Sequence, residues 1–222
     1  MIRTVLVMSA ALALAHQGSE LSVRLVGNAG VALTDNVTSI LIDLPHEPGA
    51  LGYVGYDPAQ LRPPGAVVTA ITHHHRDHFD RGLFLARPDW RIIGPRSVVS
   101  PLPAARVIVG DSVQVGAFAV VAVPTPHTDD HRSYRVRWRG RVLYFVGDTE
   151  EPSFVLAEQP VDLLFITPWL ACSARDTGRT PRAARAILYH RWPGETDRGC
   201  GIGEALEQGS TITLPPADRS PR

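Results

Sequence analysis

The sequence of this 222-residue chain contains no lysine, and all of its 22 basic residues are arginines. Its 22 acidic residues balance them, so the formal net charge at pH 7 is zero. A chain without excess charge has no overall field that would attract nucleic acid or an acidic membrane surface. We therefore expect no nucleic-acid partner, and we attribute the absence of lysine to a G+C-rich coding sequence rather than to a function.

Several motifs that identify common enzyme classes are also missing. The chain has no P-loop, no dinucleotide-binding glycine fingerprint and no serine nucleophile elbow. Internal repeats and low-complexity linkers are absent as well. We therefore expect one domain, and we expect its chemistry to use residues other than those of these three motifs.

Apolar runs are short everywhere except at the N-terminus. There, Arg3 precedes an apolar stretch at residues 4–14, and Ala13 and Ala15 place small residues where signal peptides are cleaved. This stretch is shorter than the roughly 20 residues that a membrane-spanning helix needs. The sequence predicts a cleaved signal peptide over residues 1–15, a single mature domain over residues 16–222 without a membrane anchor, and a periplasmic or secreted location.

Cysteine is scarce, with Cys172 and Cys200 the two in the chain. An oxidising compartment permits a disulfide between them. Sequence alone does not decide whether their Cα atoms come close enough to pair.

Short apolar segments separated by glycine and proline predict a protein rich in strands. We expect strands within residues 21–35, 38–44, 66–72, 90–94, 106–109, 112–123, 133–146, 162–167 and 211–214, with the segment 133–146 a hairpin that turns at Arg139-Gly140. Helices are expected at residues 80–86, at 182–188 behind Pro181, and at 203–208. Strands in two groups, each followed by helix, favour a sandwich of two sheets with outer helices over one doubly wound sheet.

Four of the nine histidines fall within six residues, in the segment His73-His74-His75-Arg76-Asp77-His78. At the end of a strand, side chains two residues apart point the same way, so His73 and His75 can face one metal ion. The chain must turn after the strand, which brings Asp77 and His78 toward a second position. Imidazole nitrogen and carboxylate oxygen are ligands that zinc accepts.

With this motif the chain resembles the metallo-β-lactamase superfamily, whose hallmark is His-x-His-x-Asp-His after a strand. The resemblance implies an α+β fold, a four-layer αβ/βα sandwich in which two mixed β-sheets carry helices on their outer faces. It extends to His127, Asp148 and His190, each placed just after a predicted strand or helix. The segments Gly27-Asn28-Ala29-Gly30 and Ile40-Leu41-Ile42-Asp43 look most like the branch that contains ascorbate-6-phosphate lactonase.

The resemblance also implies two bound Zn²⁺ ions, although Mn²⁺ or Fe²⁺ would suit the same ligands. One ion would be held by His73, His75 and His127, the other by Asp77, His78 and His190, with Asp148 bridging them. Each ion would keep an open position, and a water shared by two dications would supply a hydroxide near neutral pH. Asp77 is the expected catalytic residue, because it can orient that hydroxide or pass a proton to the leaving group.

Two of these ligand positions have alternatives. His131 lies four residues after His127, but the polar start of a strand follows it, and we favour His127. His190 follows the helix predicted at residues 182–188, where it could instead be a cation at a helix C-terminus.

Together these features predict an exported, binuclear metal-dependent hydrolase that acts on an ester, lactone, amide or phosphoester bond of a small molecule. A β-lactamase proper is a special case of this activity. The alternative from another class is a non-catalytic metal-binding protein on the same scaffold. A di-iron redox protein is disfavoured, because such relatives usually have glutamate at the position of His75 and carry a flavin domain.

Three further features bear on substrate recognition. Tyr53 and Tyr56 lie in a glycine-rich loop at residues 45–58 that can overhang the metals, and Trp169 follows a predicted strand. Ordinary packing is the alternative for all three aromatic side chains. Arg135, Arg137, Arg139 and Arg141 alternate along the predicted hairpin, where they either attract an anionic substrate or form a solvated sheet face.

Overall fold

The computed structural model describes residues 20–195 and 199–217, and within these ranges thirteen strands form two sheets. The first sheet contains β1 (Leu21–Leu25), β2 (Val31–Thr34), β3 (Thr38–Ile42), β4 (Ala66–Ala70), β5 (Arg91–Ile93) and β13 (Thr211–Leu214), in the order β13-β1-β2-β3-β4-β5. The strands from β13 to β3 pair antiparallel, whereas β3, β4 and β5 are parallel.

The second sheet has the same mixed character. It contains β6 (Ser112–Val115), β7 (Phe118–Pro124), β8 (Arg132–Trp138), β9 (Arg141–Phe145), β10 (Val161–Ile166), β11 (Ala183–Leu188) and β12 (Glu204–Ala205), in the order β12-β11-β10-β9-β8-β7-β6. The strands from β6 to β9 pair antiparallel, and those from β9 to β12 are parallel.

Four short helices lie in the connections: α1 (Arg81–Leu85), α2 (Arg96–Val99), α3 (Pro152–Ala157) and α4 (Pro168–Asp176). Side chains cap three of them, and before α3 Glu151 accepts a hydrogen bond from the Ser153 amide. Asp80 accepts a hydrogen bond from the Leu83 amide before α1, and Thr167 accepts one from the Leu170 amide before α4. Each cap satisfies an amide that the first helical turn would otherwise leave unpaired.

Alternation along the strands assigns each face of the first sheet to a different core. Ile40 and Ile42 of β3 point into the main core between the sheets, while Leu41 points to a second core with Phe84 of α1 and Val98 of α2. The side chains of α3 and α4 join the main core on the far side of the second sheet. Two mixed sheets with helices outside confirm the predicted sandwich.

The predicted helix at residues 182–188 is wrong, since this segment forms strand β11. Its Ala-rich sequence favours a helix intrinsically, but it pairs in parallel with β10, from Val161↔Ala183 to Ile166↔Leu188. Tertiary pairing that buries Ile187 and Leu188 outweighs a propensity difference of only about half a kcal/mol per residue.

Smaller differences concern segment boundaries. The expected helix at residues 203–208 is instead the two-residue strand β12. The single strand expected at residues 112–123 is a hairpin that turns at Gly116, whose φ is +53°. The segment 106–109 contributes only an isolated bridge between Ile92 and Val107.

The predicted signal peptide, residues 1–15, lies outside the described residues. Across the described ranges, no helix has the length and apolar character that crossing a membrane requires.

Cys172 of α4 and Cys200 are bonded to each other, with their Cα atoms 5.0 Å apart. This disulfide closes a loop whose ends are 28 residues apart and which includes β11 and His190.

Replacing both cysteines by serine should lower the free energy of unfolding by about 3 kcal/mol, because the unfolded chain regains the entropy of that loop. Urea unfolding of the double variant against the wild type measures the loss, and a free thiol titre in the native wild type would contradict the pairing.

Candidate metal centre

The seven predicted ligands lie where strands of both sheets end. The segment His73 to His78 follows β4, His127 follows β7, Asp148 follows β9, and His190 follows β11. Because β9 and β11 both run parallel to β10, the loops that follow them leave the second sheet at the same end. The contacts of His73 and His78 with Asp148 place the loop after β4 of the first sheet there as well. His190 is thus placed by a parallel strand and not by a helix C-terminus, which removes the alternative considered for it.

One group of side chains contains His73, His75 and His127, and one ring nitrogen from each lies within 4.8 Å of the other two. His73 Nε2 is 2.9 Å from His75 Nδ1 and 3.8 Å from Asp148 Oδ2. His127 Nε2 is 3.9 Å from the same Asp148 oxygen. His73 is fully buried, whereas His75 and His127 lie at the solvent side of the group.

A second group contains Asp77, His78 and His190, all of them buried. His78 Nε2 is 3.0 Å from His190 Nε2, and His190 Nε2 is 3.2 Å from Asp77 Oδ2. Asp148 contacts this group too, with Oδ1 at 3.2 Å from His78 Nε2 and Oδ2 at 3.3 Å from His190 Nε2. The carboxylate of Asp148 therefore lies between the two groups.

The donor set fits metal cations. Three imidazoles form one group and two imidazoles with a carboxylate form the other, and both are sets that zinc accepts. Among the described residues, the buried oxygens Asp77 Oδ1 and Asp148 Oδ1 have no hydrogen bond. Buried carboxylates without enough donors are costly unless a cation neutralises them. His74, in contrast, is exposed and lies outside both groups.

Electrostatics in the cluster are dominated by burial and by mutual contacts. Burial and neighbouring His78 hold the pKa of His73 well below its ordinary value, which keeps this imidazole neutral. Burial raises the pKa of Asp148, but the charges of His78 and His190 outweigh it and hold that pKa well below its usual range. Asp148 is therefore an anion, and its charge in turn raises the pKa of His78 and His190, which favours their protonated forms. A metal ion bound by these rings would take the place of their protons.

Asp43 is a functional candidate that sequence reasoning missed. It is fully buried after β3, with a φ of +48°, and its Oδ1 accepts a 2.7 Å hydrogen bond from the Thr72 amide. Its Oδ2 accepts one from Thr72 Oγ1 and contacts His78 Nδ1 at 2.9 Å. With Nδ1 held in this way, His78 turns Nε2 toward the ligand group. The available signal was an aspartate directly after the apolar run Ile40-Leu41-Ile42.

Asn28 connects the first loop to the second group. Its Nδ2 donates to both Asp77 Oδ2 and the Asp77 carbonyl at 3.3 Å, and its carbonyl accepts from the His190 amide. Its own amide donates to the carbonyl of Val54, next to Tyr53. One buried residue thus fixes Asp77, His190 and the 45–58 loop relative to each other.

His131 has a supporting position behind the cluster. Its Nε2 accepts a hydrogen bond from the Asp148 amide at 3.1 Å, and its Nδ1 contacts Thr125 Oγ1 at 2.9 Å. Burial lowers the pKa of His131 to about 4, so the ring is neutral and can accept that bond. Since both ring nitrogens are engaged, the geometry favours His127 over His131 as the third ligand of the first group.

Two of the three aromatic candidates reach the cluster. The Tyr53 ring lies 4.4 Å from the ring of His190, and Trp169 lies 5.2 Å from it. Tyr56 does not, because its hydroxyl bonds to the backbone of His46.

The alternating arginines of the β8–β9 hairpin extend away from the cluster, which lies at the start of β8. Arg135 pairs with Glu158 and Arg141 pairs with Asp162. These pairings favour the solvated-face interpretation over attraction of an anionic substrate.

Comparison with known proteins identifies the architecture. A metallo hydrolase from Ignicoccus hospitalis superposes with a TM-score of 0.63 at 16% identity, over 88% of this chain and 98% of that one. A metallo-β-lactamase fold protein from Bacillus subtilis superposes with a TM-score of 0.62 at 13% identity, over 88% and 99%. The chain has the metallo-β-lactamase fold. At these identities the likeness concerns the fold alone.

Two further matches are to proteins whose names describe different chemistry. A diiron β-hydroxylase from Streptomyces venezuelae superposes with a TM-score of 0.59 at 18% identity, over 89% of this chain and 54% of that one. In sequence, hydroxyacylglutathione hydrolase from Chelativorans sp. (strain BNC1) is 34% identical over 131 residues, 55% of this chain. That match spans 48% of the relative, about half of its length. No protein-family model matches the sequence.

If Asp43 orients His78, changing Asp43→Asn should weaken metal binding at the second group by about 10- to 100-fold, the usual effect of losing such a partner. Competition with a chelator measures the affinity. Asp35→Asn is the matched control, because Asp35 is also a buried aspartate but bonds to Thr38 and Trp138 at the opposite edge of the metallo-β-lactamase fold. Equal affinities in the two variants would contradict the orienting role.

The third ligand of the first group is tested by a pair of variants. If the first group binds a metal ion, His127→Ala should lower the metal content by about one ion per chain, because it removes one of three ligands. His131→Asn should leave the metal content unchanged and instead lower the free energy of unfolding by about 1–3 kcal/mol, the cost of unsatisfied buried polar groups. Metal analysis after dialysis measures the ions that each variant retains. Loss of an ion only in the His131 variant would identify His131 instead of His127 as the third ligand.

Proposed function

We propose that this chain is a binuclear metal-dependent hydrolase acting on a small molecule. The observation that carries the proposal is the pair of ligand groups that share Asp148 at one edge of both sheets. A single structural metal would need only one group of four ligands and no open position. The hydrolase name of the sequence relative supports the same conclusion.

In this proposal His73, His75 and His127 bind one cation, and His78, His190 and Asp77 bind the other, with Asp148 shared. When bound, such a pair of cations supplies Lewis acidity that activates water and polarises the scissile group. Zinc is the proposed metal. Since iron occupies a relative with this fold, the metal is decided by ligand type and availability and not by the fold.

Asp77 is the proposed catalytic residue because its two oxygens face different surroundings. Oδ2 contacts His190 and receives the Asn28 amide, whereas Oδ1 has no hydrogen bond among the described residues. Oδ1 can therefore accept a proton from the attacking water and return it to the leaving group. Asn28 holds the carboxylate in the orientation that this transfer needs.

Among the bond types considered, the comparison favours an acyl bond. The relative is named for hydrolysis of a hydroxyacylglutathione, which is an acyl compound. An ester, lactone or amide is thus preferred to a phosphoester. Membership in the lactonase-like branch is a finer proposal that rests on the loop Gly27 to Gly30 and the segment Ile40 to Asp43.

Export to a periplasm or the medium is part of the proposal. It rests on the apolar N-terminal segment behind Arg3, and the bond between Cys172 and Cys200 supports an oxidising compartment. Determination of the N-terminal residue of the exported protein tests it, with His16 expected.

The proposed activity is tested with two adjacent histidines. His75→Ala should lower kcat/KM by more than about a hundredfold on the best substrate of an ester, lactone, amide, β-lactam and phosphodiester panel, since it removes a ligand from the reacting centre. His74→Ala is the matched control and should keep wild-type activity and metal content, because His74 is exposed and outside both groups.

Two outcomes would contradict this function. Hydrolysis that survives His75→Ala would show that the activity belongs to another site. A wild type that binds two ions but hydrolyses nothing in the panel would favour the non-catalytic metal-binding alternative.

A further inference from the structure

Two aromatic rings pack against the ring of the proposed ligand His190. Tyr53 meets its ring edge-to-face at 4.4 Å, with an interplanar angle of 85°. Trp169, at the start of α4, meets it at 5.2 Å with an angle of 81°. These contacts fix the plane of the imidazole and place an apolar surface beside the second ligand group.

Trp192 extends this surface outward. Its ring stacks on Tyr53 with a centroid separation of 4.1 Å and an interplanar angle of 21°. The Tyr53 ring therefore lies between Trp192 and His190 and contacts both. A short substituent on a molecule held at the cluster can reach Trp192. Its backbone is anchored as well, because the Trp192 amide donates to Glu195 Oε2 at 2.9 Å.

Trp192 is much more exposed than the tryptophans that pack in the cores. Its relative exposure is 49%, compared with 8% for Trp90 and 0% for Trp138. One ring face is covered by Tyr53, and a large part of the indole remains open to solvent next to the cluster. A large exposed aromatic side chain beside a cluster of polar, metal-binding side chains is a common feature of ligand-binding surfaces.

The charges near this surface do not favour a phosphate-bearing ligand. Arg76 and Arg191, the arginines adjacent in sequence to Asp77 and His190, are both engaged. Arg76 pairs with Glu47, and Arg191 donates to the Glu195 carbonyl. The chain has no lysine that could take their place. Phosphate recognition usually uses such cations.

We propose that Tyr53, Trp192 and Trp169 form a subsite for an aromatic or other apolar group of the substrate. This inference rests on the proposed function and narrows it to uncharged acyl compounds, esters, lactones or amides, that carry an apolar group on the acyl side. The reacting carbonyl lies at the ligand groups, and the apolar group lies against the exposed face of Trp192.

Binding of two product analogues tests the subsite without any turnover. Propanoate and 3-phenylpropanoate share a carboxylate for the metal-loaded cluster and differ by one phenyl ring. The ring should tighten binding to the wild type by about tenfold, as expected for burial of part of its surface. Calorimetric titration gives both dissociation constants.

Variants of Trp192 assign the effect. Trp192→Ala should reduce the phenyl preference to less than about twofold and leave propanoate binding unchanged, whereas Trp192→Phe should keep most of it because an aromatic face remains. Val37→Ala is the control for an exposed apolar residue, since Val37 is 71% exposed and precedes β3, at the opposite end of that strand from the cluster. It should keep the full preference.

The outcomes separate the subsite from the activity. Equal affinity of the wild type for the two carboxylates, or an unchanged preference in Trp192→Ala, would overturn the subsite even if the protein is a hydrolase. The expected preference in a protein that hydrolyses no member of the panel would support the subsite and contradict the proposed function.

Discussion

The geometry of the candidate centre depends on the contacts of the buried Asp43 carboxylate. This carboxylate joins the end of β3 to the end of β4 through Thr72, whose amide and hydroxyl both donate to it. The same carboxylate contacts His78 Nδ1 and so orients a ligand of the second group. A buried carboxylate is tolerated only when its oxygens are hydrogen-bonded, and removing one partner of a buried ion pair costs about 3–5 kcal/mol. The position of His78 therefore depends on how the ends of β3 and β4 are joined, and that junction depends in turn on the bonds of the Asp43 carboxylate.

Asp148 has the complementary place in the second sheet. It follows β9 at Gly147, whose φ of +65° lets the chain turn there, and His131 accepts its amide. A Cβ atom at position 147 would lie only 2.4 Å from His131 Nε2, so this close approach requires glycine. The turn presents the carboxylate to both ligand groups at once. Each sheet thus contributes one aspartate just after a strand. Asp43, from the first sheet, contacts the Nδ1 atom of His78, and Asp148, from the second sheet, lies between the two groups.

Much of this arrangement was predictable from sequence because it is local. The segment His73 to His78 carries its own spacing, and the preceding strand fixes the direction in which its side chains point. Apolar alternation and the glycine and proline positions likewise predicted the two sheets. The roles of Asp43, Asn28 and His131 were not predictable in this way. Each acts through a contact between residues distant in sequence, such as the 49-residue separation of Asn28 from Asp77, and no short pattern encodes such a contact.

The segment before His190 shows how a local pattern can also mislead. Its alanines and arginines favour a helix, and an isolated peptide of this sequence would have no reason to form a strand. The neighbouring strand β10 supplies that reason, because its carbonyls and amides would otherwise lack a partner on that side. Pairing to β10 then carries His190 to the end of the sheet where Asp148 follows β9. A helix, with a rise of about 1.5 Å per residue, would not span that distance over the same segment. The positive φ of His190, +55°, marks the turn by which its side chain leaves the strand direction and faces His78. The same turn starts the loop in which Trp192 stacks on Tyr53. The strand that completes the candidate ligand set therefore also positions the apolar surface beside it.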